Sequence, residues 1–225
     1  MKIHAIICTR DTNFSEVSKN LFNKLASLPA RVKVMTKQES IFSGYKNALD
    51  SLDPDDEDLV ILCHDDVELP QKNEDILNAL KLVRREGFGF GGVAGTKLLG
   101  SNAVWWDHEL WQKGHHSGMV YHKNENGYYV TEYGPCSKVV VLDGCFLVAK
   151  AEVLRDVGLE KPSYLEGDWD FYDLHYTMEA FKKGYSNITI PLIIAHHSSG
   201  ELVGRDGWNE SRQAFIEYNS LPATI

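Results

Sequence analysis

Leu59-Val60-Ile61-Leu62-Cys63, running straight into His64-Asp65-Asp66-Val67-Glu68, is the stretch on which the fold turns. A short apolar run of this kind, bounded by charge, reads as a buried strand. The acidic cluster then stands at the strand's carboxyl end. In open α/β sheets that is where ligands bind.

Working upstream, residues 2–8 (KIHAIIC) form another short apolar run and a first strand. Phe14, Val17, Leu21, Phe22 and Leu25 recur at helical spacing behind Ser15 and Glu16. Val32, Val34 and Met35 suggest a second strand. Residues 41–52 read as a helix, ended by the acidic loop 53–58. The segment up to Glu68 therefore alternates β-α-β-α-β. That pattern predicts an α/β fold with a mostly parallel sheet and helices on both faces.

Working downstream, a helix is expected over about residues 71–85. The Gly-rich segment 87–95 (GFGFGGVAG) has no GxGxxG leading into a helix, so it is not a dinucleotide fingerprint. Within it only Val93-Ala94 reads as strand. Residues 100–137 are rich in Trp, His, Tyr, Gly and Asn without a period, and read as a long loop or hairpin region of functional interest. Residues 138–142 and 146–149 read as strands around Asp143-Gly144. Residues 151–157 and 172–183 read as helices, the second closed by Gly184. Residues 188–195 read as one strand, at an edge or kinked by Pro191, leading into His196-His197 and a Ser-Ser-Gly loop. A last helix is expected over about residues 209–218.

The chain has 225 residues, 43% hydrophobic and 24% charged, with a net charge of −9. This suits one α/β domain over residues 1–225. An acidic chain without a Lys/Arg cluster is a poor partner for nucleic acid or for an anionic membrane. No stretch reaches the roughly 18 apolar residues of a transmembrane helix, and the apolar run at residues 3–8 is too short for a signal-peptide core. Cys8, Cys63, Cys136 and Cys145 are scattered, with no CxxC pair. A reduced, cytoplasmic chain accounts for them better than a disulfide framework or a zinc knuckle.

Several constellations could carry chemistry. Adjacent Asp65 and Asp66 offer hard oxygen ligands that suit Mg²⁺ or Mn²⁺, and such an ion neutralises a leaving pyrophosphate; the plainer alternative is a solvated turn. The segment Glu166-Gly167-Asp168-Trp169-Asp170-Phe171-Tyr172-Asp173 carries three Asp residues that cannot all be core. One of them facing a cleft could act as a general base toward a hydroxyl, the alternative being acidic enrichment at a helix start. His196 and His197 end a strand and could ligate metal or move protons. Trp105, Trp106 and Trp111 could stack on sugars or bases, or simply pack the loop. His115-His116 reads as a solvated loop pair.

The ordered set of segments CTRD, SGYKNAL, LVILCHDDVEL, GGVAGTKLL, LDGCFLVAKAEVL, FYDLHYTMEAFKKGY and IIAHHSSGEL resembles the inverting glycosyltransferases of family two. Within that family it is most similar to the subgroup named for a streptomycin-biosynthesis protein, StrF. The resemblance covers nearly the whole chain. It implies a GT-A fold, with residues 1–99 as the nucleotide-binding half and residues 100–225 as the acceptor and catalytic half. It also implies an NDP-sugar donor, a glycan or small-molecule hydroxyl acceptor and a divalent cation, Mn²⁺ or Mg²⁺. By position, Asp66 would be the metal ligand, Asp65 would lie near the ribose or metal, and Asp173 would be the base. His196 or His197 would stand near the pyrophosphate and metal. Thr9, Arg10, Glu39 and Asn47 would line the nucleotide cleft, and Trp105, Trp106 and Asp143 the acceptor side. The sequence departs from the family pattern in three places. His64 replaces the first Asp of the metal motif, Tyr172 replaces the acid before the base, and His175 replaces the motif's second Asp. A non-catalytic sugar-nucleotide or glycan-binding relative and a nucleotidyltransferase are the competing readings. The second lacks the glycines it would need after the first strand.

Overall fold

The computed structural model describes residues 2–10, 14–124, 127–197 and 206–225. Its first elements are those the alternation predicts: β1 (Ile3–Cys8), α1 (Glu16–Ala26), β2 (Ala30–Met35), α2 (Ile41–Leu52) and β3 (Leu59–His64). Ser15 and Ser40 start the two helices, their hydroxyls accepting from the Ser18 and Phe42 backbone N–H groups. Each satisfies a donor the first helical turn leaves open. β1 pairs in parallel with β2 on one side and β3 on the other. All six residues of β1 and the first five of β3 are buried, as in a sheet covered on both faces. Ile41, Phe42, Tyr45, Ala48, Leu49 and Leu52 form the buried stripe of α2, which packs on β1 and β2.

The chain continues through β4 (Val67–Glu68), α3 (Asn73–Lys81) with a 3-10 turn at Leu82–Arg84, β5 (Phe88–Gly92), β6 (Ala94–Thr96), β7 (Leu98–Leu99) and α4 (His108–Gln112). A hairpin of β8 (His116–Asn124) and β9 (Gly127–Gly134) follows, then β10 (Lys138–Val139), β11 (Val141–Leu142), β12 (Phe146–Lys150) and α5 (Ala151–Val157). The last elements are α6 (Tyr172–Lys182), β13 (Ser186–Thr189), β14 (Ala195–His196), α7 (Asp206–Tyr218) and β15 (Ala223–Thr224).

The main sheet has seven strands in the order β10-β13-β5-β12-β3-β1-β2. Its directions follow from the pairings. β12 runs against both β3 and β5, β13 runs with β5, and β10 runs against β13. The sheet is therefore mostly parallel, with one reversed strand inside it and another at its edge. A second sheet, β11-β6-β8-β14-β4 with β9 on the outside of β8, stands beside it.

The reversal of β12 positions the site. Because β12 runs opposite to β3, its amino end lies at the carboxyl end of β3. Phe146 stands opposite Cys63, and the His64 N–H donates to the Cys145 carbonyl at 3.1 Å. The Asp143-Gly144 turn before β12 and the His64-Asp65-Asp66 turn after β3 thus share one rim of the sheet.

Three expectations need correction. The Gly-rich segment is a central strand, β5, followed by β6, with Val93 between them. Gly89 shows why glycine is needed: a Cβ there would lie 2.8 Å from the Asn187 Oδ1 and 2.9 Å from the Tyr185 Cβ, because the connection after α6 packs directly on the strand. Residues 138–142 are two strands in different sheets, Val139 pairing with Asn187 and Val141 with Thr96. Residues 188–195 are likewise two. β13 stops at Thr189, Pro191 lies in the gap, and β14 joins the second sheet between β8 and β4. The Ser-Ser-Gly loop and the polar residues 11–13 lie outside the described residues.

Candidate active site

The turn after β3 is held by β4, whose Val67 is fully buried and pairs with His196 of β14. This brings His196 over the acidic turn. The His196 Nε2 lies 3.2 Å from Asp66 Oδ1, and the His64 Nδ1 lies 3.8 Å from the same oxygen. One ligand atom from each of the three side chains falls within 4.8 Å of the others. Asp66 Oδ1 is buried and receives no hydrogen bond of good direction. Burial would raise the Asp66 pKa, but His196 and His64 outweigh it and hold it down at about 2. Burial lowers the His64 pKa against the pull of Asp66, which favours the neutral form a ligand needs, whereas at His196 the burial penalty is outweighed by the pairing with Asp66, which raises its pKa. A buried carboxylate oxygen flanked by two imidazole nitrogens fits a divalent cation. Such a nitrogen-and-oxygen set suits Mn²⁺ and the later transition ions better than Mg²⁺.

Beside this cluster, α6 begins without a side-chain cap, at Phe171 with φ 60°. A left-handed non-glycine residue is strained and must be held by its surroundings. The Phe171 ring packs against Trp208 and Phe215 of α7, each with centroids 5.5 Å away. Asp173 follows in the first turn. Its Oδ2 accepts the Gly144 N–H at 2.9 Å and its Oδ1 accepts the Leu174 N–H at 2.9 Å. Burial, and after it the charge of Asp143, push the Asp173 pKa up to about 7, against the pull of those N–H donors. Asp143 is itself fixed by accepting the Cys145 N–H at 2.9 Å. Tyr172 reaches back to the turns at the rim, its hydroxyl donating to the Gly144 carbonyl at 2.8 Å and lying 2.6 Å from the His64 Nε2.

His64, His196, Asp143, Gly144, Tyr172 and Asp173 line one cavity of about 350 Å³. His64, His122, Asp143, Asp170, Asp173 and His196 supply its polar wall, and Trp105, Trp106, Tyr133, Trp169 and Trp208 much of its aromatic wall. Trp105 is 3% exposed and packs on Tyr133 and His116. Trp106 is half-buried and packs on Trp105 and Trp208. Trp208, Tyr133 and Gly144 were not singled out from sequence. A lone Trp at a helix start and a Tyr on a hairpin carry no local mark of a site.

The residues expected around a nucleotide are more dispersed. Thr9 is buried, its N–H bonded to the Met35 carbonyl at the ends of β1 and β2. Arg10 lies over the Trp169 ring, 4.3 Å from its centroid, and Trp169 donates to the Glu39 carbonyl at 2.9 Å. Asp65 lies 3.5 Å from the Ser18 hydroxyl. The Glu39 side chain is exposed, and like Thr9, Arg10 and Asp65 it is not part of the cavity wall. Asn47 is exposed in mid-helix, because the buried stripe of α2 faces β1 and β2; its side chain turns to solvent rather than to the strand ends. His197 lies outside the ligand cluster, its Nε2 2.7 Å from Glu68 Oε1. Asp168 pairs with Lys161 at 2.9 Å. His116 is buried and stacked on Tyr133, not solvated in a loop.

No curated protein matches the chain by sequence. Among solved structures it is similar to A197 from STIV, at 13% identity and TM-score 0.52, over 88% of this chain and 86% of that one. It is also similar to GalNAc-T7, solved with UDP, GalNAc and Mn²⁺, at 8% identity and TM-score 0.53. That match covers 88% of this chain and 44% of the other. The likeness to the inositol-1-phosphate CTP transferase from T. maritima, at TM-score 0.41, 12% identity and 97% of each chain, is too weak to establish a common fold. The fold is that of the GT-A nucleotide-sugar transferases. The profile of the Glycosyltransferase like family matches residues 5–218, and the chain belongs to that family.

Proposed function

We propose that the protein transfers a sugar from an NDP-sugar to a hydroxyl acceptor with inversion, assisted by a divalent cation, as one domain spanning residues 1–225. The observation that carries this is the shared cavity: His64 and His196, the two imidazoles grouped with Asp66, line the same aromatic-walled space as Asp173. His64, Asp66 and His196 would hold the cation, which neutralises charge on a departing diphosphate. Thr9, Arg10 and Asp65, which lie outside the cavity wall, are proposed for the donor side, and Trp106 and Asp143, which line it, for the acceptor side. Asp173 takes the acceptor's proton while the acceptor oxygen bonds to the anomeric carbon. The bond from that carbon to the diphosphate oxygen breaks as the new one forms, and the electron pair leaves with the NDP. Attack from the face opposite the leaving group inverts the centre. The acceptor class, a glycan or another polyol, is supported by the Trp faces, which stack on sugar rings. Membership of the StrF subgroup and a cytoplasmic location belong to this proposal too. The free thiols of all four cysteines fit a reducing compartment.

Isothermal titration of UDP and GDP with Mn²⁺ and with EDTA, followed by turnover of a panel of NDP-sugars, tests the proposal. Nucleotide affinity should require Mn²⁺ and be lost in Asp66→Ala, with the fold intact by circular dichroism. Equal affinity in Mn²⁺ and EDTA defeats the metal assignment. Metal-dependent binding without turnover of any donor favours a binding protein over an enzyme.

A further inference from the structure

The two most conspicuous departures from the family pattern touch each other. His64 and Tyr172 are 108 residues apart in sequence, and the His64 Nε2 and the Tyr172 hydroxyl are 2.6 Å apart. The hydroxyl also lies 2.8 Å from the Gly144 carbonyl. A carbonyl oxygen can only accept, and a phenol has one proton to give. That proton goes to Gly144, so the phenol oxygen must accept from His64, and the His64 proton sits on Nε2. The other ring nitrogen, Nδ1, then carries a lone pair, and it is this nitrogen that faces Asp66. Without the phenol the preference would reverse, because a carboxylate beside Nδ1 attracts the proton to that atom.

We propose that Tyr172 is a positioning residue that fixes His64 in its Nε2–H tautomer and so presents Nδ1 as a ligand. This rests on the cation site proposed above. Tyr172 is well placed for the task. It is 4% exposed and wedged edge-on against Phe42 and Tyr45, with centroids 6.4 and 5.9 Å away. Its approach to the rim depends on Gly144, where a Cβ would overlap the Tyr172 hydroxyl and lie 2.8 Å from the Asp173 Cβ. A tyrosine in place of an acid here is a hydrogen-bond partner for an imidazole in place of an acid there. His64 and Tyr172 thus form one hydrogen-bonded unit.

The test uses the full chain, with ¹⁵N-labelled histidine for NMR and Mn²⁺ as the titrant. His64→Ala assigns the His64 resonances. Metal-free wild type should show His64 protonated on Nε2. Tyr172→Phe keeps the ring packing; it should move the proton toward Nδ1 and weaken Mn²⁺ binding about 10- to 100-fold, the usual effect of losing a ligand's hydrogen-bond partner. Asp66→Ala should abolish Mn²⁺ binding and leave the Nε2–H tautomer in place. A wild-type proton on Nδ1 overturns the proposal, even if Tyr172→Phe fails to fold. So does a folded Tyr172→Phe with unchanged tautomer and unchanged Mn²⁺ affinity. If Asp66→Ala still loses Mn²⁺ in that case, the cation site stands and only the role of Tyr172 falls. Failure of wild type to bind Mn²⁺ removes both.

Discussion

As the proposed base, Asp173 carries opposing demands. A base must be ionised, yet burial and Asp143 favour its protonated form and raise its pKa from 3.8 to about 7. Turnover should therefore rise with pH and level off above about 7. Asp173→Asn should lower kcat about 10²- to 10⁴-fold, the usual contribution of a positioned base, and lose that limb of the profile. Asp168→Asn should cost little, since Asp168 is exposed and paired with Lys161. Stability follows from the same shift. A carboxyl with a raised folded pKa stabilises the fold fully below its unfolded value, and that contribution is lost as pH climbs through about 7. The melting temperature of Asp173→Asn relative to wild type should thus climb between pH 4 and 7 and then flatten; a flat difference over that range would contradict the shift. Asp66 could be picked from sequence because it follows a predicted strand, and Asp173 because the family resemblance singles it out among three Asp residues near a helix start. Tyr172 stood out only as a departure from the family pattern and Gly144 not at all, because their roles lie in hydrogen bonds between segments far apart in the chain.

Elements were legible where periodicity was strong. The bounds of α2 and α5 match their apolar pattern, and β3 exceeds its apolar run by one residue. Legibility failed where tertiary packing overrode local character. β5 is a glycine strand because a neighbouring connection presses on it. β13 and β14 are separated by a proline and claimed by different sheets. The rule that ligands gather at carboxyl ends of strands pointed to His64–Asp66 but not to Asp143-Gly144. Those residues precede a strand, and only the reversal of β12 brings them to the same rim. The loop leading to α4 makes a testable distinction between neighbours. Trp105 is almost fully buried, so Trp105→Ala should cost about 3–5 kcal/mol in chemical denaturation. Trp106 is half-buried at the cavity wall. Trp106→Ala should leave the fold and donor affinity near wild type and raise the KM for acceptor several-fold. Loss of donor affinity in Trp106→Ala would count as packing, not acceptor binding.

At the scale of the whole molecule, the two halves suggested by the sequence are woven together. β12, β13 and β10 from the second half pair with β3, β5 and one another in a sheet begun by the first. Residues 1–99 and 100–225 expressed as separate chains should each lack a cooperative unfolding transition, whereas the whole chain should show one. An independently folded 1–99 would mean the halves are separable units. The interleaving also has a consequence for how the protein is made. β3, the apolar strand between β1 and β12, gains its second neighbour only when residues 146–150 appear, some eighty residues later. At ribosomal speeds of about 5–20 residues per second, that is a wait of roughly 4–16 s. Through that interval Leu59–His64 presents a bare apolar edge, so the nascent chain should be a client of holding chaperones until the reversed strand arrives to close it.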